Sequence, residues 1–188
     1  MTLNIPFTYY YLMVTMCFWP IGRKSFPSRF FLLFTPFRPI VIVLGAYADI
    51  ITQLNPEVNY VHNPNWEKGM STSIVTGVNR VLTLSPEIDN VILAVADQPF
   101  ITEMIFEQLV QCNLETGKNI VAASYQKTNG TPVLFNKKYF SELMNVTGSG
   151  GAKELLKKHP SDLETIIFEL GEIDIDTEKD YTNLTSNI

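Results

Sequence analysis

The sequence predicts one α/β domain with a doubly wound, mostly parallel sheet. A chain of 188 residues, 46% of them hydrophobic, can bury one substantial core. Two short apolar runs, PIVIVLG at 39–45 and VILAVA at 91–96, are rich in β-branched residues, which is typical of strands buried on both faces of a parallel sheet. Between them, apolar side chains recur at helical spacing over 71–82. The order strand, helix, strand predicts a crossover between two parallel strands.

The same alternation continues towards the C-terminus. Helical spacing predicts a helix over 102–112, and an apolar run predicts a strand over 120–123. Further strands are predicted over 131–135 and 165–170, and short helices over 138–144 and 152–159. A last helix is predicted from Thr177, which we expect to form an imperfect capping box with Asp180. Because no repeat or low-complexity linker interrupts it, 39–188 is predicted to be one domain.

Residues 1–38 differ in composition from the rest of the chain. They contain four basic residues and no acidic one, since the first acid is Asp49. The stretch from Thr2 to Gly22 has no charged side chain, but Pro6 and Pro20 interrupt it, and it lacks the basic leader and small-residue end of a secretory signal. A membrane anchor and an apolar extension are both open, and the prolines favour the extension. We assign no helix or strand to this segment.

Charge and cysteine content exclude several classes of function. A formal charge of −5 gives no reason to expect the basic surface that neutralises nucleic-acid phosphates, so nucleic acid is not an expected partner. A phosphorylated substrate then needs locally placed cations or a metal ion. Cys17 and Cys112 belong to no CxxC or Cys/His cluster, so neither a zinc site nor a disulfide framework is predicted. This cysteine usage favours a reducing cytoplasm.

Asp97 is the first candidate for chemistry. It directly follows the apolar run at 91–96, at the carboxyl end of a predicted strand, where open α/β sheets bind their ligands. A partly buried carboxylate there needs a metal ion, a basic side chain or backbone N–H groups as a partner. Pro99 ends the strand at once and holds the carboxylate on a rigid turn. The alternative is that Asp97 only caps this turn through its own backbone.

The start of the helix predicted over 71–82 has the features of an anion site. Gly69, Ser71 and Ser73 lie where free N–H groups of a helix terminus bind phosphate. The alternative for Ser71 is ordinary N-capping. Asn65 and Trp66 precede the helix on a loop, where Trp66 either covers a ring of a ligand or closes the core.

Two later segments also lie near this edge of the predicted sheet. Gly130 permits close approach of the backbone, and Pro132 stiffens the entry into the next strand. The alternative is that Asn129 and Gly130 form only a hairpin turn. Farther along, Asp174 and Asp176 are two residues apart and share one side if the segment is extended.

Six sequence blocks, in this order along the chain, resemble those of one enzyme family. They are IVIVLGAYAD at 40–49, NPNWEKGMSTSIVTG at 63–77, VILAVADQPFIT at 91–102, NGTPVLF at 129–135, TGSGGAKELL at 147–156 and DIDTEKDYTNL at 174–184. The series resembles the cytidylyltransferases that complete the molybdenum cofactor, a branch of the MobA-like nucleotidyltransferases. The resemblance covers 39–188, and its specificity lies in the ordered series rather than in any one motif.

This resemblance implies a Rossmann-like nucleotidyltransferase fold and a specific reaction. The reaction is transfer of a cytidylyl group from CTP to a molybdopterin-type cofactor, with release of pyrophosphate, Mg²⁺ as the metal and a molybdenum hydroxylase as a further partner. Asp97 is the implied catalytic residue, and Asp97 and Asp176 are the implied metal ligands. The implied substrate-binding residues are Asn65, Gly69, Ser71, Ser73, Gly130, Pro132 and Lys153. Guanylyl or other nucleotidyl transfer, and a non-catalytic protein that binds the molybdenum cofactor, are the alternatives.

The sequence departs from the family pattern in two places. In the block at 147–156, Ser149 stands where the family has Asp, and Lys153, where it has Arg, keeps the positive charge but not the bidentate fork. The glycine-rich LAAGxSxRMG loop, which would hold the nucleotide triphosphate, has no match in 1–38. We therefore expect the first βα unit to be degenerate or missing. We interpret 1–38 as a frame-shifted or mis-started translation of that unit, with the frame restored before Pro39.

Overall fold

The computed structural model describes residues 10–16, 40–53, 59–148 and 150–186. In this part of the chain, seven strands form one sheet in the order β3-β2-β1-β4-β6-β5-β7. Every neighbouring pair is parallel except the two that involve β6. The strands are β1 (Tyr10–Met16), β2 (Ile40–Leu44), β3 (Asn59–His62), β4 (Asn90–Val95), β5 (Ile120–Tyr125), β6 (Thr128–Asn136) and β7 (Leu163–Ile167).

Helices connect these strands. They are α1 (Ala48–Ile51), α2 (Met70–Leu84), α3 (Glu103–Thr116), α4 (Phe140–Met144), α5 (Lys153–Lys158) and α6 (Glu178–Ser186), with single 3₁₀ turns at Trp66–Lys68, Lys137–Tyr139 and Pro160–Asp162. Within the described ranges, no helix is both long enough and apolar enough to cross a membrane.

The two faces of the sheet carry separate apolar cores. Successive residues of a strand point to opposite faces, so Val91 packs on one side of β4 and Ile92 on the other. The core that contains Val91 also includes buried residues of α2, α4 and α5, and the core that contains Ile92 includes Phe106 and Leu109 of α3. The fold is therefore the predicted α/β sandwich with a mostly parallel sheet.

The helices and strands predicted from periodicity are confirmed, with shifted ends. The helix predicted over 71–82 is α2, and the one predicted over 102–112 is α3, which continues to Thr116 and ends at Gly117 in the left-handed conformation (φ 67°). Glycine has no Cβ penalty in that conformation and ends helices for this reason. The strand predicted over 165–170 lies two to three residues earlier, because the chain leaves the sheet at Phe168.

Two strands, β1 and β3, were not predicted. β1 lies in the middle of the sheet, between β2 and β4, with Leu12 opposite both Ile40 and Ile92. A central parallel strand is covered on both faces and needs no polar alternation, so its aromatic sequence gave no period-2 signal. The strand of the first βα unit, which was expected to be degenerate or missing, is therefore present as β1. Residues 17–39, where the missing glycine-rich loop was expected, lie outside the described residues.

The hairpin between β5 and β6 turns at Gln126 and Lys127, which both have positive φ (43° and 64°). The interpretation of Asn129 and Gly130 as the turn is therefore wrong, since both residues pair with β5. The register shifts after Ala122, and the two residues that follow Gly130 in β6 have no partner in β5. This bulge bends β6 at the same edge of the sheet as the end of β4.

The predicted capping box of α6 is confirmed. The Thr177 N–H donates to the Asp180 carboxylate at 2.9 Å, and the Asp180 N–H donates to the Thr177 hydroxyl at 3.2 Å. The Asp180 carboxylate therefore caps the start of α6.

We expect Phe106→Ala to lower the free energy of unfolding by about 3–5 kcal/mol, because the ring is fully buried and its removal leaves a cavity. Urea denaturation followed by circular dichroism measures the change. Met104→Ala, on the same helix but 64% exposed, is the matched control and should change stability by less than about 1 kcal/mol. Equal losses in the two variants would contradict the packing described here.

Candidate active site

The candidate site lies at one edge of the sheet. The carboxyl ends of the parallel strands meet there, together with the amino end of antiparallel β6. This brings together the residues that follow β2, β4 and β7, the last residue of β5 and the first half of β6. Ligands of open α/β sheets bind at this edge, outside the carboxyl ends of the strands.

Asp97 lies two residues beyond β4. Its Oδ1 atom is buried and has no hydrogen-bond partner among the described residues. Burial raises the pKa of this carboxyl to about 6, and the negative charge of Asp174 and a smaller effect of Asp176 add to the increase. A hydrogen bond to its own backbone lowers the pKa and partly offsets these effects. The turn-capping interpretation accounts for that contact but leaves Oδ1 without a partner.

A backbone hydrogen bond brings the second acidic segment to Asp97. The Ile175 N–H donates to the Asp97 carbonyl at 2.8 Å, so that Asp174 and Asp176 flank the point of contact. Asp174 has the larger effect on the Asp97 pKa, and its own pKa is raised by burial and then by Asp176. The resemblance implies Asp176 as the second metal ligand, and both Asp174 and Asp176 act on the Asp97 carboxyl.

These acids do not form a complete metal site by themselves. Among the described residues, no three His, Cys, Asp or Glu side chains are close enough to hold a metal ion. Mg²⁺, however, is commonly bound by one or two carboxylates together with water and substrate phosphates. A buried carboxylate oxygen without a partner, beside two further acids, fits a metal whose remaining ligands come from a phosphorylated substrate.

Gln98 connects three segments around Asp97, and sequence reasoning did not assign it a role. Only 2% of it is exposed, and its Nε2 donates to the Thr131 carbonyl at 3.1 Å and to the Gly171 carbonyl at 2.7 Å. Its Oε1 is buried without a partner in the described part of the chain, at a penalty of about 1–3 kcal/mol. The only signal in the sequence was an amide directly after Asp97.

Tyr125 was also missed. Its ring lies edge-on to Phe168, with ring centres 6.5 Å apart, and its hydroxyl bonds to Thr131. Burial raises its pKa, followed by smaller effects of Asp174 and Asp97. The predicted strand ended two residues earlier, at Ala123, and nothing in the sequence indicated that the Tyr125 side chain turns towards the acids.

Position 130 admits only glycine, because the Tyr125 side chain occupies the space of a Cβ. A Cβ there would overlap the Tyr125 hydroxyl and lie 3.6 Å from Cε of Lys153. The close approach predicted at Gly130 is thus explained by a protein side chain. Pro132 is buried in the bulge of β6.

Lys153 begins α5 and is exposed beside the acids. It lowers the Asp174 pKa and so partly balances the negative charge at this edge. Gly151, two residues earlier, has φ 52°, and a Cβ there would lie 3.4 Å from side-chain atoms of Met70 and Ile74 in α2. Lys153 is therefore the sequence-predicted cation that the structure brings to the site. Ser149 lies outside the described residues.

The loop before α2 is held by a buried asparagine. Asn63 is 1% exposed, and its Nδ2 donates to the Thr72 and Ser73 hydroxyls at 2.8 and 2.9 Å. Its Oδ1 accepts from the Asn65 N–H at 2.9 Å. Trp66 packs on Gly45, where a Cβ would lie 2.8 Å from the Trp66 side chain. Trp66 therefore packs on the end of β2, at the wall of the site.

The N-cap of α2 is Gly69, which has φ 109° and makes no side-chain cap. The interpretation of Ser71 as the N-cap is therefore wrong. Ser71 and Ser73 are 3% and 1% exposed, so their hydroxyls are buried at this helix start.

Comparison with known proteins identifies the family. The model of the MobA-like NTP transferase domain matches residues 17–163. The chain belongs to the MobA-like NTP transferase family. The match begins inside the segment 1–38 that the sequence analysis set apart. No curated protein matches the chain.

Solved structures share the fold of this MobA-like chain. Rv0371c from Mycobacterium tuberculosis H37Rv in complex with manganese gives a TM-score of 0.74 at 17% identity, covering 95% of this chain and 98% of that one. A 4-diphosphocytidyl-2C-methyl-D-erythritol synthase from Anaerococcus prevotii gives 0.69 at 13% identity, covering 96% of each. Molybdopterin-guanine dinucleotide biosynthesis protein A from Archaeoglobus fulgidus gives 0.63 at 13% identity, covering 95% of this chain and 100% of that one. Family and fold together identify a nucleotidyltransferase.

The raised pKa of Asp97 makes the stability of the metal-free protein depend on pH. Its folded pKa of about 6 exceeds the unfolded value of about 3.9, so the folded state binds more protons between these values. The contribution of Asp97 to the free energy of unfolding therefore falls as pH rises from about 4 to about 6. We expect Asp97→Asn to leave the free energy of unfolding unchanged below about pH 4 and to raise it, to its full extent, above about pH 6. Urea denaturation across this pH range measures the change.

Asp180→Asn is the control with the opposite sign. The hydrogen bonds of Thr177 lower the Asp180 pKa, so this variant should lose stability at neutral pH and not gain it. A stability difference between Asp97→Asn and wild type that stays flat from pH 4 to pH 7 would contradict the burial of the Asp97 carboxyl.

Proposed function

We propose that this nucleotidyltransferase transfers a cytidylyl group from CTP to the phosphate of a molybdopterin-type cofactor. An oxygen of the acceptor phosphate bonds to the α-phosphorus of CTP, the bond to the β-phosphate oxygen breaks, and pyrophosphate leaves. The observation that carries this proposal is the half-buried Asp97 carboxylate at the ligand-binding edge, whose buried Oδ1 has no partner within the described ranges. The ordered blocks that resemble the cytidylyltransferase branch support the choice of nucleotide and acceptor.

Asp97, with one of the two acids near it, Asp174 or Asp176, would hold Mg²⁺, which neutralises charge on the transferred phosphate and the leaving group when bound. The manganese in Rv0371c supports a divalent metal in this fold. Asp97 sits on a turn fixed by the Ile175 hydrogen bond, so its carboxylate is held in place before substrate arrives. Positioning of this kind is the main catalytic contribution that a protein makes to phosphoryl-group transfer.

The other residues would bind and orient the substrates. Lys153 is the exposed cation beside the acids and would pair with a substrate phosphate. The N-terminus of α2, which follows Gly69, would hold a second phosphate through the positive end of the helix dipole. Trp66 and Asn65 on the loop before α2 would contact the base or the pterin. Gly130 and Pro132 shape the opposite wall.

Guanylyl transfer is the second candidate. The fold that the chain shares with a molybdopterin-guanine dinucleotide biosynthesis protein favours the same acceptor with a different base. The cytidyl group in the product of the Anaerococcus synthase favours CTP. We further propose that the reaction takes place in the cytoplasm and that a molybdenum hydroxylase receives the finished cofactor.

Release of pyrophosphate from CTP, in the presence of molybdenum cofactor and Mg²⁺, tests this function. We expect Asp97→Asn to lower kcat/KM by roughly 100-fold or more, because it removes the charge that holds the metal. Replacing CTP with GTP should give much less pyrophosphate. Removal of the metal with a chelator should abolish turnover of the wild type.

Asp89→Asn is the control for this assay, since Asp89 forms an exposed ion pair with Lys137 at the opposite edge of the sheet. It should keep full activity. Wild-type activity in Asp97→Asn would refute the assignment of Asp97, and a preference for GTP would replace cytidylyl with guanylyl transfer.

We also propose that the segment 1–38, apart from the strand β1 that belongs to the sheet, is an aberrant translation of the family's first unit. The absence of acids and the lack of a LAAG-like loop support this proposal. Sequencing the coding DNA tests it, and we expect another reading frame over this region to encode a LAAG-like loop. A coding sequence without such a loop in any frame would refute the proposal.

A further inference from the structure

The acidic residues at the site lie on two segments that are distant in the sequence. Asp97 follows β4, whereas Asp174 and Asp176 lie between β7 and α6. Their separation is therefore set by whatever holds the segment 171–176 against the turn after β4. Among the described contacts, the Ile175 N–H donates to the Asp97 carbonyl, and Gln98 donates to the Gly171 carbonyl.

The orientation of the Gln98 amide follows from its partners. Both atoms that it meets, the carbonyl oxygens of Thr131 and Gly171, are acceptors, so the amide nitrogen must face them. One NH₂ group thus uses its two hydrogens on two different segments, at 3.1 and 2.7 Å. Because Gln98 is 2% exposed, water cannot readily replace these bonds.

The Gly171 end of this connection has little freedom to move. A Cβ at Gly171 would lie 2.6 Å from ring atoms of both Phe168 and Tyr125. The backbone here is therefore packed against two aromatic rings on one side and bonded to Gln98 on the other. At the second end, Thr131 lies beside Gly130 and bonds to the Tyr125 hydroxyl.

We propose that Gln98 is a positioning residue of the metal site, which sets the distance of Asp174 and Asp176 from Asp97 without touching metal or substrate. The inference rests on the proposed function, because it concerns the same carboxylates. Loss of both hydrogen bonds would release the segment 171–176, leaving the Ile175 bond as its only described hydrogen bond to the turn. Partners that orient metal ligands in this way typically change metal affinity by 10–100-fold.

Mn²⁺ binding by the full chain, followed by electron paramagnetic resonance without nucleotide, tests the proposal. We expect Gln98→Met, which keeps the volume and removes the amide, to raise the Mn²⁺ dissociation constant by about tenfold or more. Amide hydrogen exchange at Ile175 should also become faster than in the wild type, relative to exchange in β4. A purely structural role would lower stability but leave the Mn²⁺ affinity of the folded protein unchanged.

Asn90→Leu is the matched control. Asn90 is a buried amide at the other end of β4, 6% exposed and bonded to Asn136 at 3.1 Å. Removal of this amide should leave Mn²⁺ affinity within about twofold of the wild type, because the two ends of the strand do not share partners. If Gln98→Met does not fold, Gln98→Asn keeps the amide but shortens its reach and carries the same expectation.

The outcomes separate this inference from the proposed function. Loss of Mn²⁺ binding in Asp97→Asn with unchanged binding in Gln98→Met overturns the role of Gln98 and leaves the metal assignment of Asp97 standing. Equal losses in Gln98→Met and Asn90→Leu also overturn it, since the effect is then general. A wild-type protein that binds no Mn²⁺ overturns the metal assignment and this inference together.

Discussion

The turn after β4 is the point on which the site depends. A carboxylate at this position is removed from water, and its pKa of about 6 measures how strongly burial and neighbouring acids oppose its charge. The fold tolerates this because backbone and amide hydrogen bonds fix the turn from several sides. The charge therefore stays at a defined place, and no basic side chain in the described part of the chain bonds to its buried oxygen.

Close approach of backbone and aromatic rings determines the shape of the surrounding walls. Gly45 admits Trp66, Gly130 admits Tyr125, and Gly171 admits both Tyr125 and Phe168. In each case a Cβ would require the ring to move, so the missing side chains are part of the packing. At this edge of the sheet, aromatic rings are thus held against glycine backbone, and the contact at Gly171 limits how far the acidic segment can shift.

The charge at this edge is arranged for a cation and phosphates together. Asp97 lies near Asp174 and Asp176, the exposed cation Lys153 acts on Asp174, and the N-terminus of α2 contributes the positive end of a helix dipole. Acids alone would repel a triphosphate, and cations alone would not hold a divalent metal. The combination suits a substrate that arrives with its metal, which agrees with the nucleotidyltransferase identity of the family.

The local sequence was enough to predict those elements that carry a clear pattern of their own. Helical spacing fixed α2 and α3, β-branched runs fixed β2 and β4, and the Thr177 and Asp180 pair fixed the start of α6. β1 was not predicted because a central parallel strand needs no alternation of polar and apolar residues. The hairpin turn was not predicted because Gln126 and Lys127 are not residues that usually adopt positive φ. Asp97 was found because a single acid directly after an apolar strand is visible in sequence. Its partners were decided only by tertiary structure, since the proximity of Asp174, the bonds of Gln98 and the approach of Tyr125 to Gly130 join segments that are tens of residues apart in the chain.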